Sequence, residues 1–158
     1  QGEEGEVCIR GENVTSGYEN NPDAKKNSFS DGWFRTGDQG YFDKDGYLKI
    51  SGRLKEIINK GGEKISPLEV DNILMDHPNI EQAVCFGYED KMLGEDIATA
   101  IIIKEGMQCT EDDIKIYANE KLAKFKIPKK IFFVNEIPKG ATGKLQRNTL
   151  AKKFGLVN

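Results

Sequence analysis

Cysteine is scarce in this 158-residue chain, and Cys8, Cys85 and Cys109 form no C-x-x-C spacing. An odd count without paired spacing points away from a disulfide framework or a zinc site and fits a reducing compartment. Long apolar runs are also missing. The longest, Ile97 to Ile103 with one Thr inside it, falls far short of the roughly 20 residues a membrane-spanning helix needs. With a net charge of −3 the chain lacks the sustained basic field of a dedicated nucleic-acid binder. It opens on Gln1-Gly2-Glu3 with no initiator Met, no charged leader and no apolar leader, as expected of a segment cut from a longer protein. The single histidine, His77, stands before Pro78 at an expected helix end, where a structural role suits it. Asn13-Val14-Thr15 matches a glycosylation sequon, but nothing else in the chain suggests secretion.

What is present suffices for a soluble globular fold. Hydrophobic residues make up 37%, enough for one ordinary domain or two small ones. Charge is distributed unevenly: −4 over residues 1–52, −8 over 53–120 and +9 over 121–158. The run Lys121, Lys124, Lys126, Lys129 and Lys130 reads either as a solvated face or as an attractor for anionic ligands.

The pattern divides near residue 54. Residues 1–54 read as strands and turns, with Asp43-Lys44-Asp45-Gly46 between Tyr41-Phe42 and Tyr47 to Ile50 as a hairpin signal. An EF-hand reading of Asp-x-Asp-Gly fails, because the acidic ligand it needs five residues before Gly46 is Tyr41. Beyond that point helices enter. Ser66-Pro67-Leu68-Glu69 predicts a helix start with Ser66 as cap, Pro67 at the first position and Glu69 closing a capping box. His77-Pro78 ends that helix. Ala83 to Tyr88 and Ile97 to Ile103 read as paired core strands, and Ile131 to Val134 as a third. Thr110 begins a second helix with Glu111, Asp112 and Asp113 in its first turn, and Leu145 to Phe154 forms a final basic one. The fold class expected is α+β: a small domain at 55–158, with a three-stranded core sheet flanked by helices, preceded by a β-rich segment.

Three polar stretches punctuated by glycine are candidates for chemistry. They are Thr36-Gly37-Asp38, Gly52-Arg53-Leu54-Lys55-Glu56 running on to Lys60-Gly61-Gly62-Glu63-Lys64, and Pro138 to Lys144. The last is no Walker A loop, since Pro138 stands where that loop needs Gly and Leu145 where it needs a hydroxyl. On local grounds it is either a lysine carried on a two-glycine hinge toward a phosphate or a solvated turn ahead of the last helix.

Taken in order, Trp33 to Asp38, Gly46-Tyr47-Leu48, Gly52 to Glu56, Gly61 to Val70, Phe125 to Lys129 and Pro138 to Arg147 resemble the adenylate-forming acyl-CoA synthetase family. The likeness covers essentially the whole chain and is that of the family's C-terminal third. It is closest in appearance to the oxalyl-CoA synthetase branch, on Gly5 to Gly11, Asn59 to Pro67 and Ala123 to Pro128. The resemblance implies that residues 1–54 end a large N-terminal adenylation domain and that 55–158 are a mobile C-terminal domain pivoting at a hinge, Lys55. It implies an acid–CoA ligase that uses ATP to make an acyl-adenylate from a small carboxylic acid, oxalate being one possibility, and then passes the acyl group to coenzyme A. The family roles fall on Asp38 for the ribose hydroxyls, Arg53 for the ribose and phosphate region, Gly61 and Gly62 for the coenzyme A tunnel, and Lys144 as the catalytic cation of adenylation. Magnesium is implied by the nucleotide, without a visible ligand cluster. The expected partners are the substrates and the missing N-terminal domain, in an intracellular location, cytoplasm or peroxisome. A domain that loads a carrier protein and a non-catalytic module that keeps the fold are the alternatives.

Overall fold

A computed structural model of the chain describes residues 2–15, 28–140, 143 and 145–156. The chain divides into two compact units, Gln1–Lys55 and Glu56–Asn158.

The first unit is an antiparallel sheet of β1 (Gly5–Ile9), β2 (Phe29–Ser30), β3 (Trp33–Phe42) and β4 (Leu48–Arg53), with β3 paired to all three others. The hairpin expected at Asp43 to Gly46 joins β3 to β4. Asp43 Oδ1 accepts from the N–H groups of Asp45 and Tyr47 at 3.0 and 2.9 Å, and Gly46 takes φ 84°. An aspartate that satisfies two turn donors and a glycine free of the Cβ penalty are sufficient reason for the reversal. Gly40 answers a different need. A Cβ there would sit 2.5 Å from the carbonyl oxygen of Lys49, so only Gly lets β3 and β4 approach at the irregularity between Gln39 and Gly40.

The second unit has a five-stranded sheet. β7 (Ile80–Asp90) pairs antiparallel with the full length of β8 (Gly94–Ile103). The other edge of β8 meets β5 (Ile58–Lys60) at Gly94, then β9 (Lys130–Phe133) in parallel from Ala98 to Ile101. β6 (Glu63–Ile65) pairs with β5. The three strands expected from sequence are present as β7, β8 and β9, and the 58–65 hairpin widens the sheet by two. Those strands have three residues each, too short for an alternating pattern to announce them.

Period-two alternation feeds two cores, one on each face. Ala83, Cys85, Ile97 and Ile101 pack beneath α1 (Pro67–Met75) and α2 (Glu111–Lys121), with Val70, Leu74, Ile114 and Ala118. Val84, Phe86, Ala98 and Ala100 meet Ile137 and the last helix, α3 (Arg147–Lys153), through Leu150 and Ala151. Each fully buried Ile or Leu contributes about 1.5–3 kcal/mol over leaving it in water. This explains why β7 and β8 read as continuous apolar runs: neither face is solvated.

The helix starts differ. At α2, Thr110 Oγ1 accepts from Asp113 N–H while the Asp113 carboxylate accepts from Thr110 N–H, a reciprocal capping box. At α1, Ser66 holds the N-cap position and Pro67 the first turn, but the Ser66 side chain makes no cap hydrogen bond. Glu69 does not reach back as expected, because Lys126 Nζ holds both of its oxygens at 2.6 and 2.7 Å. A full cationic partner outbids a lone backbone N–H. His77 is structural, its Nδ1 accepting from Asn79 N–H at 3.2 Å and its ring edge-on to Tyr117. No helix among the described residues is long and apolar enough to cross a membrane.

Candidate functional site

In the first unit, Asp38 and Arg53 are cross-strand partners of β3 and β4, with Arg53 Nε 3.1 Å from Asp38 Oδ1. The backbone at Asp38 is set by Thr36, whose Oγ1 donates to the Val7 carbonyl at 2.7 Å and accepts from Asp38 N–H at 3.0 Å. Gly37 takes φ 72°, and its N–H donates to Glu6. Thr-Gly-Asp therefore works as a bracket: the hydroxyl ties two strands, the glycine takes a positive φ within β3, and the carboxylate is left partly exposed beside Arg53. The Arg53 side chain is 54% exposed and that of Asp38 26%. A pair this wet contributes about 0.2–1 kcal/mol, so either member can release the other for a ligand at little cost.

Lys55 lies in a short 3-10 turn, Leu54–Glu56, with its side chain exposed, and the two units part between Lys55 and Glu56. Gly61 and Gly62 form the two-residue turn between β5 and β6, with φ of 60° and 94°. Two successive positive φ values between directly paired residues Lys60 and Glu63 are the type I′ pattern, which glycine adopts without strain. Gly61 N–H donates to the Leu93 carbonyl at 2.8 Å. Lys144 lies outside the described residues. Its flanks are fixed: Lys139 and Leu145 form an isolated antiparallel bridge, and Gly143 N–H donates to the Gly140 carbonyl at 2.9 Å.

Two clusters of charge were not legible as sites in the sequence. In the first, Arg147 opens α3 and reaches Asp71 of α1, Glu56 and the Cys85 carbonyl at 2.5, 3.0 and 2.8 Å. Burial pushes the Asp71 carboxyl up, opposed by Arg147 and by the Cys85 N–H, and pushes the Cys85 thiol well up. The second joins Lys60, Asp96, Lys129 and Asp90. Asp90 is lowered to about 2, first by the Met92 N–H and then by Lys129. No local signal in the sequence set these charges apart from solvated ones.

The lysine run resolves into particular partners. Lys126 holds Glu69, Lys129 holds Asp90 and Asp96, Lys121 stands over the Tyr117 ring and Lys130 over Tyr88. Much of the cationic last third is thus spent inside its own unit. Among the described residues no group of three or more His, Cys, Asp or Glu is placed to hold a metal ion. Asp38, Asp90 and Asp96 each face a cation of the chain, so these three carboxylates do not fit a magnesium cage.

Against known proteins, residues 69–144 match the family described as AMP-binding enzyme C-terminal domain. The chain is 56% identical over 150 residues to an oxalate–CoA ligase of Arabidopsis thaliana, covering 95% of this chain and 29% of that protein. It is 52% identical over 155 residues to an oxalate–CoA ligase of Saccharomyces cerevisiae, covering 97% and 28%. Among solved structures it is similar to o-succinylbenzoate CoA synthetase of Bacillus subtilis in complex with its acyl-adenylate intermediate, with TM-score 0.87, 38% identity and coverage of 94% of this chain and 30% of that one. ATP-bound MatB of Rhodopseudomonas palustris gives TM-score 0.90 at 32% identity, covering 98% and 31%. The chain therefore spans under a third of the length of the proteins it matches.

Proposed function

We propose that this chain, whose residues 69–144 match the AMP-binding enzyme C-terminal domain, is the C-terminal part of an ATP-dependent acid–CoA ligase acting on oxalate or a similarly small carboxylic acid. The observation that carries the reading is that likeness to oxalate–CoA ligases runs through both units. In this reading residues 1–54 close the large adenylation domain, 55–158 are the mobile domain, and Lys55 is the hinge. Use of ATP and coenzyme A goes with an intracellular location, cytoplasmic or peroxisomal.

Each assigned residue has chemistry suited to its part. Asp38, carrying two acceptor oxygens and only a weak exposed partner, can take both ribose hydroxyls of the nucleotide once Arg53 swings away. Arg53 presents a planar, positively charged guanidinium fork to the phosphate side. As the acid's carboxylate oxygen attacks the α-phosphorus, the bond to pyrophosphate breaks and negative charge gathers on the phosphoryl oxygens. An ammonium from Lys144 would stabilise that charge. In the second half-reaction the thiolate of coenzyme A attacks the acyl carbon and AMP leaves with the bonding pair. The side-chain-free Gly61-Gly62 turn would border the thiol's passage. Magnesium accompanies the nucleotide, and none of these roles draws on it.

The test is pyrophosphate exchange by the full-length enzyme with oxalate and with other small acids, followed by thioester formation with and without coenzyme A. Oxalate-dependent exchange with coenzyme A turnover is expected. Exchange that loads a carrier protein and ignores free coenzyme A would overturn the ligase assignment. Lys144→Ala should slow exchange by about 10²–10³-fold, on the scale of losing one transition-state donor.

A further inference from the structure

Beneath the Gly61-Gly62 turn the charged residues close a circuit. Lys60, the last residue of β5, places Nζ 2.6 Å from Asp96 Oδ1. The other Asp96 oxygen lies 3.3 Å from Lys129 Nζ, which is also 3.0 Å from Asp90 Oδ2. Asp90 Oδ1 accepts from the N–H groups of Met92 and Leu93 at 3.0 and 3.1 Å. The Leu93 carbonyl then accepts from Gly61, the residue after Lys60. Glu95 adds a brace, its Oε2 accepting from Asn59 N–H at 2.6 Å.

A hairpin does not need this. Two glycines supply the type I′ turn unaided, and a surface reversal can leave its charges in water. Here Asp96 is buried to 1% exposure and the Lys60 side chain to 15%, so both have given up solvent to reach each other. Burying a charged pair carries a desolvation cost that its mutual attraction need not repay, so stability alone is a weak reason for it. What the circuit controls is conformational freedom. Gly-Gly is the loosest pair a chain can have, and strands of three residues cannot hold their own tip. The circuit fixes that tip to the β7–β8 turn, so its ordering cost is met during folding rather than when a ligand arrives.

We propose that the Lys60–Asp96–Lys129–Asp90 circuit preorganises the Gly61-Gly62 turn, with Lys60, Asp96 and Lys129 as positioning residues of the thioester-forming half-reaction. This rests on the reading that the turn borders the coenzyme A passage. Three variants of the full-length enzyme test it: Gly62→Leu for the turn, Lys60→Met for the buried arm, and Lys129→Met for the exposed arm, which is the less hazardous to folding. Acyl-adenylate formation and thioester formation from supplied acyl-adenylate are measured separately, with exchange of the Gly61 amide as a third readout.

Expected are a loss of about tenfold or more in the thioester step for each lysine variant, adenylation within about twofold of wild type, and faster Gly61 exchange. If Gly62→Leu slows the thioester step but neither lysine variant does, the circuit proposal is overturned and the turn keeps its role. If Gly62→Leu leaves that step intact, the reading of the turn fails and the proposal with it. Equal losses in both half-reactions for Lys129→Met, with unchanged Gly61 exchange, would reduce the circuit to general stability and also overturn it.

Discussion

Arg147 Nη2 lies 2.5 Å from Oδ2 of Asp71, 76 positions away in sequence, and the Asp71 side chain is only 3% exposed. The same guanidinium takes Glu56 and the Cys85 carbonyl, while Cys85 N–H donates to the other Asp71 oxygen at 2.6 Å. One side chain at the head of α3 thus ties that helix to α1, to β7 and to the residue that opens the second unit.

Removing it should be severe. Arg147→Met strands a buried carboxylate, a loss on the order of 3–5 kcal/mol. The pH dependence follows from Asp71, which burial already holds above the ordinary 3.8 against the pull of Arg147. Without Arg147 it climbs further, so the native state binds the proton more tightly than the unfolded chain, and stability falls as pH rises from the unfolded value through the folded one. Urea unfolding should therefore show a smaller loss at pH 5 than at pH 8. Equal losses at the two would mean that Asp71 is not what Arg147 compensates.

Asp90 has the opposite sign. Its carboxyl is lowered from 3.8 to about 2 by the turn N–H groups and Lys129, so its stabilisation is complete above the unfolded value and lost as pH falls through the folded one. Asp90→Asn should lower the urea midpoint at pH 6, with the gap to wild type narrowing below about pH 4. A gap unchanged from pH 6 to pH 3 would place the stabilisation elsewhere.

Gly40→Ala probes the bracket that presents Asp38. The new methyl would meet the Lys49 carbonyl at 2.5 Å, and a backbone oxygen cannot step aside as a side chain can. β3 and β4 must part, at a cost of about 1–3 kcal/mol. Since Asp38 and Arg53 face each other across the same two strands, the full-length enzyme should also show a raised KM for ATP. A normal KM with lowered Tm would separate the strand contact from the proposed nucleotide site.

Lys55→Pro tests the proposed hinge. Proline disfavours helical backbone at the residue before it, and Leu54 occupies the 3-10 turn Leu54–Glu56, so the setting found here becomes the costly one. A penalty of up to about 3 kcal/mol is roughly a hundredfold in population. One half-reaction should slow far more than the other while Tm changes little. Unimpaired turnover would move the pivot elsewhere.

The sequence by itself determined what neighbours along the chain can decide. The Asp43 to Gly46 reversal, the starts of α1 and α2, the stop at His77-Pro78 and the core strands within β7 and β8 all depend on contacts within a few residues or on burial of both strand faces. The family was equally legible, because its motifs are contiguous strings. Only the tertiary structure decided how the charges pair. Glu69, adjacent in pattern to Ser66, went to Lys126 57 positions away; Lys129, one of a row that read either as a solvated face or as an attractor for anions, went to Asp90 39 positions back; and Arg147 found Glu56 across 91. A single charged letter looks the same on a wet surface and beside a buried partner. What separates the two is the desolvation imposed when β5, α1 and α3 close on β7 and β8, a property of the packed unit and of no local string.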